Sequence, residues 1–479
     1  MTKLVLKIIA FFALVLLGVR IAEPFFIKEN RFNYAKYKFD KLADTTNFGI
    51  LFFGSSKSYC AYNPTIFKYY LGTNSYNLAG QGQVLEVTDF VLEEALKSNR
   101  PNLIVVDLSY GMIRFKEEDT DSEKRKSYQL KIFDNYGMSV NKIRYLSKFF
   151  ENTDLVYLSS PTIRNHSAWP DISKGYFRTN YLHDKNNLFL ANNGYIGTMH
   201  KMSKNGLKLA DEMKLGYDVL KNRRKLKVDD KELNLIKRVH NKAKANGTKV
   251  LFVTSPSIQG FTRHLSFYED LEEHLKQFGI NYLNLNKHYY EIGLTTSDFK
   301  DILHLNFYGG FKTSSYLSKY LAKHYMFESS AKKNMLDNNV TYNLLSNINY
   351  TNKILKTKFV FNESVIIDEI GYFKETEDQY SFVFSVSPES SKNQLGNFRG
   401  YIRYFRKEVK EENKKVTSFP IEIVEIDNNR YFFARVQIKD VLLPKFDVFF
   451  IDNTTKTPSQ FFTLNNLAIS SNQFNTDVF

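Results

Sequence analysis

The sequence predicts an α/β domain built on a parallel sheet, with a membrane helix before it and a small all-β domain after it. Three observations predict this. Between residues 48 and 325, short apolar runs alternate with stretches of helical spacing. After residue 352 the runs become short and mostly alternating, with no helical pattern between them. At the N-terminus an unbroken apolar run, Ile8 to Val19, is flanked by Lys3 and Lys7 on one side and Arg20 on the other.

The N-terminal run falls short of the ~20 residues of an ideal span. Adding Leu4 to Leu6, with the Lys7 stem snorkelling, brings it close to length. Arg20, Glu23 and Pro24 stand where a small-residue cleavage site would be. The reading is therefore an uncleaved signal anchor over 1–23, with a cleaved signal peptide as the alternative. Lys3 and Lys7 should stay cytoplasmic and the remainder should lie outside the membrane. Residues 24–44 read as a stalk or a first helix.

The α/β domain is expected over 45–327. Phe48 to Phe53 is a buried strand ending at Gly54. Asn74 to Leu78 and Leu103 to Leu108 are further strands, with helical spacing over Pro64 to Tyr70 and Val84 to Lys97. Residues 112–225 lack clear periodicity and read as an insertion over the sheet. The alternation resumes with a helix over Asp229 to Asn246, a strand over Lys249 to Thr254, a helix over Leu265 to Phe278 and a strand over Ile280 to Leu285. A last helix runs from Phe307 to Tyr325. Residues 328–352, rich in Ser, Lys and Asn, read as a linker. Runs such as Lys358 to Phe361, Tyr380 to Val386, Tyr401 to Phe405, Tyr431 to Ile438 and Phe446 to Ile451 mark a β-sandwich-like domain over 353–479.

Composition narrows the function. The formal net charge is +15, but the Lys and Arg residues are scattered and no nucleic-acid signature accompanies them, so no nucleic-acid partner is expected. The single cysteine, Cys60, allows no internal disulfide and no zinc cluster; no metal or cofactor is expected.

Two segments carry chemistry. Gly54, Ser55 and Ser56 sit where a buried strand gives way to a helix, the position at which open α/β sheets bind ligands. Free N–H groups of the helix start favour negative charge there. The alternative is that one of the serines merely caps the helix. Asp301 and His304, three residues apart, stand just before the last helix. A serine hydroxyl needs an imidazole to take its proton and a carboxylate to orient that imidazole. The alternative for this pair is a surface ion pair.

Taken together, the two segments resemble the SGNH hydrolase superfamily, also called GDSL-like. Its first block has a Gly-x-Ser nucleophile after the first strand, which Gly54-Ser55-Ser56 matches; its last block is Asp-x-x-His, which Asp301 to His304 matches. The following His304-Leu305-Asn306 with Gly309 looks like the continuation common in membrane-linked members. The resemblance implies Ser56, Asp301 and His304 as catalytic residues. It implies an oxyanion hole from the N–H groups of Ser56 and of Gly82, which follows Asn77 in the second block. The third block departs from the family: Asp107 to Gly111 lacks the usual Asn, leaving Ser109 or Tyr110 as substitute donors.

The variant first block, the anchor and the missing Asn resemble the subgroup that works with membrane-bound O-acyltransferases, such as the alginate O-acetylation and teichoic acid D-alanylation proteins. What this implies is O-acyl transfer to, or removal from, a cell-surface polysaccharide or teichoic-acid-like polymer outside the cell membrane. The alternative function is a non-catalytic accessory protein that binds glycan or docks an acyltransferase. Trp169, Tyr176, Phe177, Tyr181 and Tyr195 could stack on sugar rings, although local core roles suit each better; His166 and His200 have no assigned role.

Overall fold

Strand β1 (Ile50–Phe53) is apolar at every position and fully buried, because parallel neighbours flank it on both edges. It pairs with β2 (Ser75–Asn77) on one side and β3 (Leu103–Asp107) on the other. Beyond them lie β4 (Lys249–Thr254) and β5 (Tyr282–Asn284), in the order β2-β1-β3-β4-β5, all parallel. The order reverses between β1 and β3, the point at which doubly wound sheets of this order place a ligand. The computed structural model describes residues 2–27, 31–114, 122–150, 154–167, 169–170, 193–197, 202, 204–223, 225–327 and, beyond 352, the strands named below.

Alternation along the strands splits the core in two. Leu51, Phe53, Ile104, Val106, Val250 and Phe252 point to one face. Ile50, Phe52, Leu103, Val105, Leu251 and Val253 point to the other. Helices cover both faces. The first carries α2 (Arg31–Ala43), α5 (Leu85–Ala95), α7 (Ser122–Phe133), α8 (Val140–Phe149), α11 (Asp230–Ala245) and α13 (Leu265–Gln277); the second carries α3 (Ser56–Ala61), α4 (Pro64–Leu71), α12 (Ile258–Arg263) and α14 (Phe307–His324). Helix α1 (Thr2–Phe26) precedes them, and between them in the chain are α6 (Tyr110–Ile113), α9 (Leu155–Ser159) and α10 (Pro161–Arg164), with short helices at Lys204–Asp211 and Tyr217–Arg223.

Residues 31–43, read above as a stalk or a first helix, form a helix that belongs to the core. Phe32, Ala35, Phe39 and Ala43 recur at three- and four-residue steps and are buried. Phe39 and Phe48 stack with centroids 5.7 Å apart, and both lie edge-on to Tyr76. Segment 112–225, between β3 and α11, contributes more than a cover: Ile132, Phe133, Tyr145 and Leu146 enter the first core. Helix α1 contains Lys3–Glu23, a 21-residue segment long and apolar enough to cross a membrane, and it packs into neither core.

The chain divides into two compact units, residues 1–185 with 192–333, and residues 186–191 with 334–479. In the second, β8 (Gln379–Val386), β12 (Asn429–Gln437), β6 (Lys353–Asn362), β7 (Val365–Thr376) and β11 (Glu422–Ile426) pair antiparallel in the order β11-β12-β8-β7-β6. A second antiparallel set runs β10-β9-β13-β14-β15, from β9 (Phe398–Arg406), β10 (Lys415–Phe419), β13 (Val441–Asp452), β14 (Phe461–Asn465) and β15 (Ala468–Asn472). The reading of 328–352 as a linker lies outside the described residues.

Candidate active site

The site begins at the end of β1. Gly54 has φ +149, and a Cβ there would stand 2.9 Å from the Ser58 Cβ and 3.0 Å from the Asp107 Cβ, so the chain can pass β3 this closely only as glycine. Ser55 then takes the capping role: its Oγ accepts from the Lys57 N–H at 3.5 Å, and its backbone is extended. Ser56, the first residue of α3, is thereby left with its hydroxyl uncommitted to the cap. The question of which serine caps the helix resolves to Ser55.

Ser56 Oγ lies 2.7 Å from His304 Nε2. His304 Nδ1 lies 2.9 Å from both carboxylate oxygens of Asp301. Asp301 Oδ1 also accepts from the Leu303 and His304 N–H groups at 2.8 and 2.9 Å, a tight turn that fixes the carboxylate beside the ring. This geometry assigns the tautomer: Nδ1–H donates to the carboxylate, and Nε2 presents its lone pair to the Ser56 O–H. The turn is held from below by Asn306, which caps α14 through the Tyr308 and Gly309 N–H groups and donates to the Ser297 carbonyl at 2.6 Å.

Electrostatics suit a neutral base. Burial pushes the His304 pKa below its ordinary 6.5, although the hydrogen bond and charge of Asp301 oppose the fall. Burial pushes Asp301 upward, but the His304 hydrogen bond and charge and the two backbone N–H donors together hold it below 3.8.

Ser56 and His304 open into a cavity of about 530 Å³, which Gly82, Ser109, Tyr110 and Tyr128 also line. The Ser56 and Gly82 N–H groups have no hydrogen-bond acceptor among the described residues. Gly82 adopts φ +63 and sits against the Tyr128 ring. Its carbonyl accepts from Gln129 Nε2 at 2.7 Å, while Gln129 Oε1 accepts from the Val84 N–H at 3.2 Å. Helix α7, from the expected insertion, thus clamps the loop that carries Gly82. Asn77 ties the second strand to α3, donating to the Ser58 and Tyr62 carbonyls at 3.1 and 3.2 Å.

At the third-block position, Ser109 Oγ approaches Ser55 Oγ at 3.5 Å, and Tyr110 stacks on His264 with centroids 4.0 Å apart. His264 also lines the cavity. Asp107 is fully buried, accepts from the Ser255 N–H at 3.0 Å, and is pushed up to about 6 by that burial. Lys57, next to Ser56, is buried and donates to Ser257 Oγ at 3.0 Å; burial lowers it to about 8 against the pull of Asp107 and Asp301.

Sequence reasoning missed Lys57, His264 and the α7 clamp. Lys57 could have been suspected from its place beside Ser56; nothing local marks the other two. The sugar-stacking candidates do not gather here. Tyr195 is buried, Trp169 packs beside Phe26 with centroids 6.3 Å apart, and exposed His166 turns its Nδ1 to the Ile163 carbonyl. Tyr176, Phe177, Tyr181 and His200 lie outside the described residues. Comparison with protein-family models and with curated proteins gives no match to this chain.

Proposed function

We propose that this protein is an SGNH-like serine enzyme that forms a covalent acyl-serine at Ser56. The observation that carries the reading is the hydrogen-bonded chain Ser56–His304–Asp301 at the sheet's switch point, opening into a cavity. His304 Nε2 takes the Ser56 proton as Oγ bonds to the acyl carbonyl carbon. The oxyanion forms facing the Ser56 and Gly82 N–H groups. On collapse, the bond to the leaving oxygen breaks and that oxygen takes the proton from His304. An acceptor hydroxyl then attacks the acyl carbon and gives its proton to His304; the acyl–Oγ bond breaks, and His304 returns that proton to Ser56 Oγ.

The site belongs, on this reading, to a three-layer flavodoxin-like SGNH domain held outside the cell membrane by α1. The resemblance to the O-acyltransferase-associated subgroup makes the acceptor a sugar or polyol hydroxyl of a cell-surface polymer and the donor partner a membrane-bound O-acyltransferase. The second unit would be a β-sandwich that serves this work.

The test combines two measurements on the full chain. A serine-directed fluorophosphonate should label it, and Ser56→Ala and His304→Ala should abolish labelling while circular dichroism stays unchanged. In cells, Ser56→Ala should abolish O-acylation of the surface polymer. Full modification with Ser56→Ala would overturn the enzymatic reading in favour of a non-catalytic accessory role, which the missing third-block Asn favours. A C-terminal reporter active in the cytoplasm would overturn the placement outside.

A further inference from the structure

The region where α1 leaves its apolar span carries a second feature unrelated to the serine site. The 21 residues Lys3–Glu23 make a helix about 31 Å long, matching a hydrocarbon core of about 30 Å. The folded body begins immediately at its end. Arg20 turns its guanidinium to Glu23, the last residue of the span, at 3.1 Å, and from there reaches the Met138 carbonyl at 3.4 Å. Met138 and the first turn of α8 therefore stand at the level where the apolar span stops. Helix α10 packs against α1 itself, and Asn165 Nδ2 donates to the Phe26 carbonyl at 2.8 Å. Arg164 and Asp134 form a buried ion pair that joins α10 to the end of α7.

At this level several apolar side chains are exposed, among polar ones such as Arg144 and Lys148. Val140 is 86% exposed, and Ile143, one turn on, is 41% exposed. Ile163 on α10 and Val156 and Tyr157 on α9, which packs against both α8 and α10, are also exposed. Trp169 is 51% exposed beside Phe26, with its indole N–H donated to the Thr162 carbonyl at 3.0 Å. A tryptophan with a satisfied N–H, among exposed aliphatic side chains at the end of a membrane helix, matches the composition of a bilayer interface.

We propose that α8, α9 and α10 seat this surface in the outer headgroup region of the bilayer, so that the body lies against the membrane instead of swinging from a flexible tether. The occupant is lipid, because the surface is continuous with a helix whose own apolar faces are all exposed. This rests on the reading of α1 as a membrane span. Held so, the serine site works at a fixed height above the bilayer.

Trp169 is the only tryptophan in the chain, so its emission, excited beyond tyrosine absorption, reports this surface directly. The full chain is reconstituted in phosphatidylcholine vesicles and recovered by flotation. Acyl chains brominated near the headgroup should quench Trp169, aqueous iodide should not, and a Val140→Asp, Ile163→Asp double variant should lose lipid quenching without losing flotation or its thermal transition. A chain that floats while Trp169 stays open to iodide overturns the interfacial seat and leaves the anchor standing. A floating chain whose Trp169 is shielded from both quenchers also overturns it, in favour of a protein occupant. A chain that fails to float overturns the anchor and this inference together.

Discussion

Asp301→Asn separates a catalytic carboxylate from a structural one. Asp301 Oδ1 accepts from the Leu303 and His304 backbone N–H groups at 2.8 and 2.9 Å, and both carboxylate oxygens lie 2.9 Å from His304 Nδ1. An asparagine can keep its oxygen on the two backbone donors, because Asn closes the same kind of turn. Its NH2 then faces Nδ1 and requires a lone pair there. The ring proton moves to Nε2, which donates to Ser56 Oγ instead of accepting from it, and the base is gone. A wrong tautomer of this kind costs on the order of 10⁴ in rate, about 5 kcal/mol of transition-state stabilisation. Folding stability should hardly change. Asp301→Ala, by contrast, removes the acceptor of two backbone donors in a part-exposed turn and should cost roughly 1–2 kcal/mol of stability as well. The assay is the second-order rate constant for fluorophosphonate labelling, beside a urea unfolding curve for each variant. Labelling of Asp301→Asn at the rate of the unaltered chain would refute the triad reasoning, since the hydrogen-bonded carboxylate would then be a fixture of the turn alone.

Three further outcomes follow from the same geometry. Because burial holds His304 below 6.5 and only the neutral ring accepts a proton, the labelling rate should fall on the acid side with a midpoint below pH 6.5; a midpoint above it would contradict the assignment. Gly82→Ala places a Cβ 2.8 Å from Tyr128 Cδ2 at φ +63; it should cost about 1 kcal/mol of stability in urea unfolding and slow labelling by up to about 10²-fold, and an unchanged labelling rate would remove Gly82 from the oxyanion hole. Asp107 has a folded pKa raised from 3.8 to about 6, so its contribution to stability is full below pH 3.8 and is lost as pH rises through about 6; Asp107→Asn should therefore gain on the unaltered chain between pH 4 and pH 7 in urea midpoints, and a constant difference would contradict the burial effect.

Local signals in the sequence determined much of the α/β unit. The strands at Phe48 to Phe53, Leu103 to Leu108 and Lys249 to Thr254 were legible because central parallel strands are continuous apolar runs. The Asp301–His304 pair was legible because both members belong to one turn. In the second unit, the segments Val365–Thr376, Lys415–Phe419 and Glu422–Ile426 escaped notice because charged and polar residues interrupt their runs.

What only the tertiary structure decided is everything that depends on strand order and on distant packing. Ser56 and His304 are 248 residues apart in the chain and 2.7 Å apart in space. Their meeting requires β1 at the switch point and α14 laid against α3 and α4. The burial of Lys57, the stacking of His264 on Tyr110 and the clamping of Gly82 by Gln129 are likewise invisible to periodicity, which reports which face of an element is apolar but not what lies against it. Trp169 shows the same limit: its residue type suggested a sugar platform, and its position beside Phe26 at the end of α1 puts it on a different surface.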